Sequence, residues 1–276
     1  MPLEKAEAVN DLQFSACVAG RVVDGVLVAT IDNPPVNAAS AAMRAGLAAA
    51  ISYANDTNTI SAIILTGAGK IFVGGADITE FGKVPANPIL PDVCARIESS
   101  AKPVIAAING AALGGGLEIA LACHYRIAAA GASFAFPEVK LGIVPGAGGT
   151  QRLPRLVGLI EAIDLIGSGR SLKAAAALSA RIVDEIAVGD CVAAALATVN
   201  NGAKTKFRKT SSLVVVPASS EAIDAATKKI IARARGQQAP VEAVRLVALS
   251  AKTEFETGLA EERATFVHLR DSVEAA

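Results

Sequence analysis

The sequence predicts an α/β protein: a body with a mainly parallel sheet over residues 1–195, then a helical region over 196–276. Three observations carry this. Short apolar runs rich in Val and Ile alternate with longer Ala-rich helical patterns, the order that crossovers between parallel strands require. Gly and Pro clusters punctuate the alternation. Beyond Ala195 the character changes: NNGAKTKFRKTSS is a polar, basic, turn-rich connection, and three helical patterns follow, punctuated by Pro217, Gly236, Pro240 and Gly258.

From Phe14 to Ile31 two short strands are expected, joined by a hairpin turn at Asp24-Gly25. Asp32-Asn33-Pro34-Pro35 stops regular structure, because proline fixes φ and lacks an N–H. Ser40 is placed to cap a helix running to about Asn55. Ala62–Leu65 reads as a buried strand ended by Thr66-Gly67-Ala68-Gly69, and Asp77 as the start of a helical turn. A helix over Ile89–Ser99 and a strand over Pro103–Ile108 lead into the glycine triplet Gly114-Gly115-Gly116 and another helix. Helical patterns then cover Arg152–Leu165 and Ser171–Ser179, with a short strand at Ile182–Ile186. The Ala clusters at 174–177 and 193–195 are helix formers rather than linker.

Composition excludes several classes. Among 276 residues, 26 basic side chains balance 26 acidic ones, so no net field draws the chain to nucleic acid or an anionic membrane. Cys17, Cys94, Cys123 and Cys191 are dispersed and there are only two histidines, which argues against a disulfide framework or a zinc site and fits a reducing, cytoplasmic setting. The opening MPLEKAEAVNDL has early acids and no apolar core, unlike a signal peptide. No stretch approaches the roughly 18–20 apolar residues of a membrane helix.

Two readings apply to each candidate for chemistry. The glycine triplet, between a strand and a helix, can free backbone N–H groups for a phosphate, a carboxylate or an oxyanion, or it can simply let the helix pack closely on the strand. GAALGGGLE lacks the GxGxxG spacing of a dinucleotide site, as does Gly146-Ala147-Gly148-Gly149. Gly67-Ala68-Gly69-Lys70 fails as a phosphate loop, with Ile71 where Ser or Thr must stand. Glu118 is either an acid favoured by the helix dipole or a desolvated proton-transfer group; Glu138, after Phe134-Ala135-Phe136-Pro137, is either an exposed first-turn acid or its partner. His124 reads first as a structural histidine, Asp77 first as a cap, and Lys204–Lys209 as the coat of a solvated connection able to meet phosphates.

The segments NPPVNA (33–38), FVGGADITEF (72–81), KPVIAAINGAALGGGLEIALACHYRIA (102–128) and FAFPEVKLGIVPGAGGTQRLPRLVG (134–158) resemble the crotonase, or enoyl-CoA hydratase/isomerase, superfamily, and IGSGR (166–170) and ALSARIVDEI (177–186) continue the likeness. CHYRIA and GLAEERATFVHLRDS (258–272) resemble the amino-terminal hydratase part of the peroxisomal-type bifunctional enzymes of β-oxidation, without their NAD-dependent dehydrogenase half. The resemblance implies a spiral of ββα units with a helical C-terminal region. It also implies an oxyanion hole from the N–H groups of Ala76 and Gly115, catalytic Glu118 and Glu138, and substrate contacts at Gly75, Asp77, Ile78 and Gly114.

The implied activity is hydration of 2-enoyl-CoA thioesters, with Glu118 activating water and Glu138 donating a proton. A Δ3,Δ2-enoyl-CoA isomerase, which needs only the acid at 138, is the alternative; a non-catalytic acyl-CoA-binding member is the reading from another class. Neither metal nor nicotinamide is expected. Stand-alone members form trimers or dimers of trimers, whereas the multifunctional relatives fold the tail back on themselves, so a homo-oligomer is expected with a monomer as the other outcome. Gly74 before Gly75 is expected to loosen its loop, and Ala112 and Phe136 to alter the acyl pocket.

Overall fold

The computed structural model describes residues 11–80, 82–201 and 207–272. β1 (Leu12–Ser15), β2 (Val18–Val23) and β3 (Val26–Ile31) form an antiparallel ribbon. The hairpin turns at Asp24 and Gly25, with φ of 49° and 73°, the mirror-image turn that matches strand twist. Where two strands were expected there are three, because Leu12–Ser15 pairs back on β2. α1 (Ala41–Asp56) starts where expected, the Ser40 hydroxyl accepting from the Met43 N–H at 3.3 Å.

Three ββα units follow. The first has β4 (Ala62–Gly67), β5 (Ile71–Val73), a 3-10 turn (Ile78–Glu80) and α2 (Leu90–Glu98). The second has β6 (Val104–Ile108), β7 (Ala111–Leu113) and α3 (Gly115–Ala122). The third has β8 (Tyr125–Ala129), β9 (Ser133–Ala135), a 3-10 turn (Glu138–Leu141) and α4 (Gly149–Val157). Next come α5 (Leu159–Ser168), β10 (Leu172–Lys173), α6 (Ala174–Ser179), β11 (Glu185–Ala187) and α7 (Cys191–Asn200). After a 3-10 turn at Thr210–Ser212, α8 (Ser220–Ala234), α9 (Gln238–Leu249) and α10 (Phe255–Arg270) complete the described chain.

The first strand of each unit enters a seven-stranded sheet ordered β1-β2-β3-β4-β6-β8-β11; the second enters a four-stranded sheet ordered β10-β9-β7-β5. Each unit therefore advances one place in both sheets, which is the expected spiral. The corner between β6 and β7 requires Gly110: an added Cβ would lie 1.9 Å from the Lys70 carbonyl oxygen of the preceding turn.

Every residue of β4 and β6 is buried, since the large sheet is covered on both faces, and this explains their near-continuous apolar sequence, in which the one polar residue, Thr66, donates its hydroxyl to the Ala107 carbonyl. One face packs Leu27, Ile63, Leu65 and Val104 with α1, α2 and Phe72 and Phe134 of the small sheet. On the other, Val28, Ile64, Ile105 and Ile127 pack with Cys191 and Ala195 of α7, a helix that runs through residue 195. All four cysteines are buried and free.

Several expected elements shift. The single helical pattern over Arg152–Leu165 is two helices, because Gly158 at φ 80° and ψ 168° breaks it. The helix expected from Ser171 starts at Ala174, since Leu172–Lys173 pair with β9. The strand expected at Ile182–Ile186 lies at Glu185–Ala187; Ile182 and Val183 are core residues instead. In the basic run, Lys204–Lys206 lie outside the described residues, Phe207 packs edge-on against Tyr125, and Arg208 pairs with Asp184 at 2.7 Å rather than facing solvent alone. The amino-terminal segment 1–10 also lies outside them. Among the described residues no helix is long and apolar enough to cross a membrane.

Candidate active site

The three glycines of the triplet differ in what they do. Gly116 serves close packing, since an added Cβ would lie 2.2 Å from the Val73 carbonyl oxygen. Gly114, at φ 50° and ψ −121°, donates to the Ala135 carbonyl and accepts from the Glu118 N–H, tying β9 to the first turn of α3. Gly115 is then the first helical residue, whose N–H has no intrahelical acceptor.

The loop after β5 comes up to that N–H. A Cβ on Gly115 would sit 3.6 Å from the Ala76 nitrogen. The end of NPPVNA and the residue after it fix the loop: the Gly74 N–H donates to Val36, the Ala39 N–H donates to Gly75, and the Asn37 side-chain amide donates to the Ile71 carbonyl at 2.8 Å. Gly74 therefore does not loosen the segment. Its Cβ position is 2.7 Å from the Val36 carbonyl oxygen, so the close approach itself demands glycine.

Glu118 and Glu138 are both buried and differ in how they are held. Glu118 Oε1 accepts from the N–H groups of Ala147 and Gly149 at 2.7 and 2.9 Å. Burial pushes its carboxyl above the usual range, and these two donors oppose the rise. Glu138 Oε1 packs against Gly114, while Oε2 is buried without a hydrogen-bond partner among the described residues. Burial, reinforced by the charge of Glu118, holds this carboxyl well above the ordinary range. Both carboxyls are raised, Glu118 the less because two amide donors favour its charged form, and Glu138 the more because the charge of Glu118 opposes its ionisation.

A pocket of about 180 Å³ brings Gly75, Ala76, Ile78, Gly114, Gly115, Glu118 and Glu138 together. Leu90, Leu141, Ile143, Val144 and Phe266 supply apolar walls. Asp77 is outside it: its Oδ1 accepts from the Thr79 N–H and hydroxyl, capping the 3-10 turn, beside a neighbouring recess that Arg44, Arg263 and Arg270 also line. Phe136 and Ala112 do not shape the pocket. Phe136 is buried against Gly149, and Ala112 is buried in β7. His124 is structural, its Nδ1 accepting from the Val104 N–H at 3.0 Å within the core. Among the described residues no cluster of His, Cys, Asp or Glu is placed to hold a metal ion.

The residues that sequence reasoning missed come from α10. Arg263 and Phe266 line the pocket, and Glu262 is a third buried acid beside the 147–150 loop. Their sequence trace is Gly258 followed by Glu262, Thr265 and Leu269, which form one buried helix face at helical spacing.

Residues 21–263 match the family model described as enoyl-CoA hydratase/isomerase. The chain is 42% identical over 226 residues to the peroxisomal bifunctional enzyme of Danio rerio, covering 80% of this chain and 32% of the relative. It is 47% identical over 165 residues to a probable enoyl-CoA hydratase of Bacillus subtilis (strain 168), 57% of this chain and 64% of that one. Thus the chain spans about a third of the length of the first of these relatives and just under two thirds of the second. A solved enoyl-CoA hydratase/isomerase from Pseudoalteromonas atlantica T6c superposes with a TM-score of 0.71 at 26% identity, over 94% of this chain and 93% of that one.

Proposed function

The chain belongs to the enoyl-CoA hydratase/isomerase family, and from that premise we propose that its pocket adds water across the 2,3 double bond of 2-enoyl-CoA thioesters in acyl-CoA catabolism. The observation that carries the reading is the unlike pair of acids on one pocket, Glu118 held by two amide donors and Glu138 buried with an unpartnered oxygen.

The thioester oxygen docks between the N–H groups of Ala76 and Gly115 and gathers charge there as the enolate develops. Ionised Glu118 removes a proton from the water whose oxygen bonds to C3. Protonated Glu138 delivers its proton to C2, where the former double-bond electron pair forms the new C–H bond. Product release and proton exchange with solvent return both acids to their starting states. Isomerisation alone needs one acid, so the anchored second acid at Glu118 favours hydration, and a purely binding role leaves two costly buried carboxylates without use. The reaction is neither redox nor metal-assisted, so no cofactor beyond the substrate's own coenzyme A is needed.

Direct testing follows the loss of the conjugated thioester absorbance of crotonyl-CoA and longer 2-enoyl-CoAs. Turnover supports the reading, and its absence across all chain lengths overturns it. A homo-oligomer, trimer or dimer of trimers, is also proposed, although α10 lines the pocket of its own chain and a monomer would hold a complete site; sedimentation separates the two. A cytoplasmic location fits the free cysteines and the bacterial relative, and a peroxisomal one the Danio rerio relative; imaging of the tagged protein distinguishes them.

A further inference from the structure

Four consecutive N–H groups, from Ala147 to Thr150, donate alternately to two buried acids. Ala147 and Gly149 donate to Glu118 Oε1; Gly148 donates to Glu262 Oε1 at 2.5 Å and Thr150 to Glu262 Oε2 at 2.7 Å. The Thr150 hydroxyl adds a third bond to Glu262 at 2.6 Å. Gly148, Gly149 and Thr150 carry free N–H groups at the start of α4 and Ala147 immediately precedes them; a short capping side chain would ordinarily meet only one such group. Here Gly148, at φ 105°, turns successive amides to opposite sides, toward α3 and toward α10.

Glu262 reaches this place because α10 packs closely on α4. A Cβ on Gly258 would lie 2.1 Å from Gln151 Oε1, and Glu262 follows one turn later on the same face. The third side of the loop is also fixed, the Ala147 carbonyl accepting from Arg152 Nη1 at 2.9 Å. Any movement of Gly148 or Thr150 therefore carries with it the two amides that orient Glu118.

We propose that Glu262 is a positioning residue for the hydration chemistry: by holding Gly148 and Thr150 it sets the amides of Ala147 and Gly149 that aim Glu118 at its water. The catalytic part of this inference rests on the hydratase reading above. The alternating donation is geometry that stands without it.

The test is Glu262→Gln, read above pH 8 where the wild-type carboxyl is ionised; the amide presents one acceptor and one donor to a loop that offers only donors at Gly148 and Thr150. Two readouts are taken on the full chain: hydrogen exchange of the Ala147 and Gly149 amides by NMR, and steady-state hydration of crotonyl-CoA. Exchange at both amides is expected to quicken at least about 10-fold, and kcat to fall about 10- to 100-fold with KM within about 3-fold, the pattern of a misaimed catalytic group rather than lost binding. Unchanged exchange at Ala147 and Gly149 overturns the proposal, whether or not the wild type hydrates enoyl-CoA. Lost protection with wild-type kcat overturns the catalytic part. A wild type that hydrates nothing sinks the hydratase reading and leaves the exchange result to decide positioning. Should Glu262→Gln not fold, Thr150→Val, which removes one of the three donors without changing volume, carries the same two readouts, and unchanged values in it are equally decisive.

Discussion

Oε1 of Glu138 lies 2.6 Å from the point where a Cβ on Gly114 would sit. The first glycine of the triplet is thus part of the seat of the acid twenty-four residues later, as well as the turn before α3. Gly114→Ala is expected to displace Glu138 and lower kcat for crotonyl-CoA by at least about 10²-fold. Its positive φ adds a stability cost of about 1–3 kcal/mol, readable as a lower urea midpoint. Wild-type turnover in this variant would show that Glu138 does not act from the seat it occupies.

Replacing either acid by its amide removes proton transfer while keeping shape. In Glu118→Gln the side-chain oxygen can still accept from Ala147 and Gly149, so the loop stays in place. Each of Glu118→Gln and Glu138→Gln is expected to lower kcat by about 10²-fold or more, the usual contribution of one general acid or base. Near-normal hydration by either variant sinks the two-acid mechanism. Glu118→Gln is also assayed with a 3-enoyl-CoA, where substantial isomerisation would reveal a second activity carried by Glu138.

Stability should fall with rising pH where the buried acids must ionise. Burial and the charge of Glu118 push Glu262 from 4.5 up to about 8, so the folded state holds a proton that the unfolded state has lost between these values. The unfolded chain binds fewer protons there, which makes the slope of unfolding free energy against pH negative. This share of stability is fully present below pH 4.5 and is lost as pH rises through about 8. The wild type minus Glu262→Gln difference in urea midpoints should therefore shrink across that window, and a difference that grows with pH contradicts the assignment.

Behind the loop, Arg152 is bound by Glu98 Oε2 through Nε at 3.2 Å and Nη2 at 2.7 Å, with both residues buried. Glu98→Gln strands the guanidinium charge and should cost about 3–5 kcal/mol in urea unfolding. Glu98→Gln combined with Arg152→Met should recover a good part of that loss, because no unpaired charge remains. Additive losses in the double variant would mean that the ion pair itself has no special cost when broken.

Much of the scaffold was legible because it is local. Ser40 announces α1, Asp24-Gly25 the hairpin, and the triplet the start of α3, each through backbone chemistry that one or two residues decide. The second strands β5, β7 and β9, of three residues each, are too short to show a period of two, so the division into two sheets does not show in the sequence pattern. Gly158 splits a helical pattern because its observed φ and ψ, not its mere presence, break the helix.

The sequence by itself determined the alternation of strand and helix, the glycine corner that frees the Gly115 N–H, and, through an ordered series of motifs, Glu118 and Glu138 as the acids to watch. Tertiary structure decided that these acids share a pocket, that they are held unlike one another, and that Asp77, Phe136 and Ala112 stand outside it. It also brought Glu262 to the loop that orients Glu118, from 144 residues away in the chain. The physical reason is that hydrogen-bonding preference and chain reversal are written in neighbouring residues, whereas burial and the raised carboxyl pKa values that follow from it exist only once distant elements have closed over the same space.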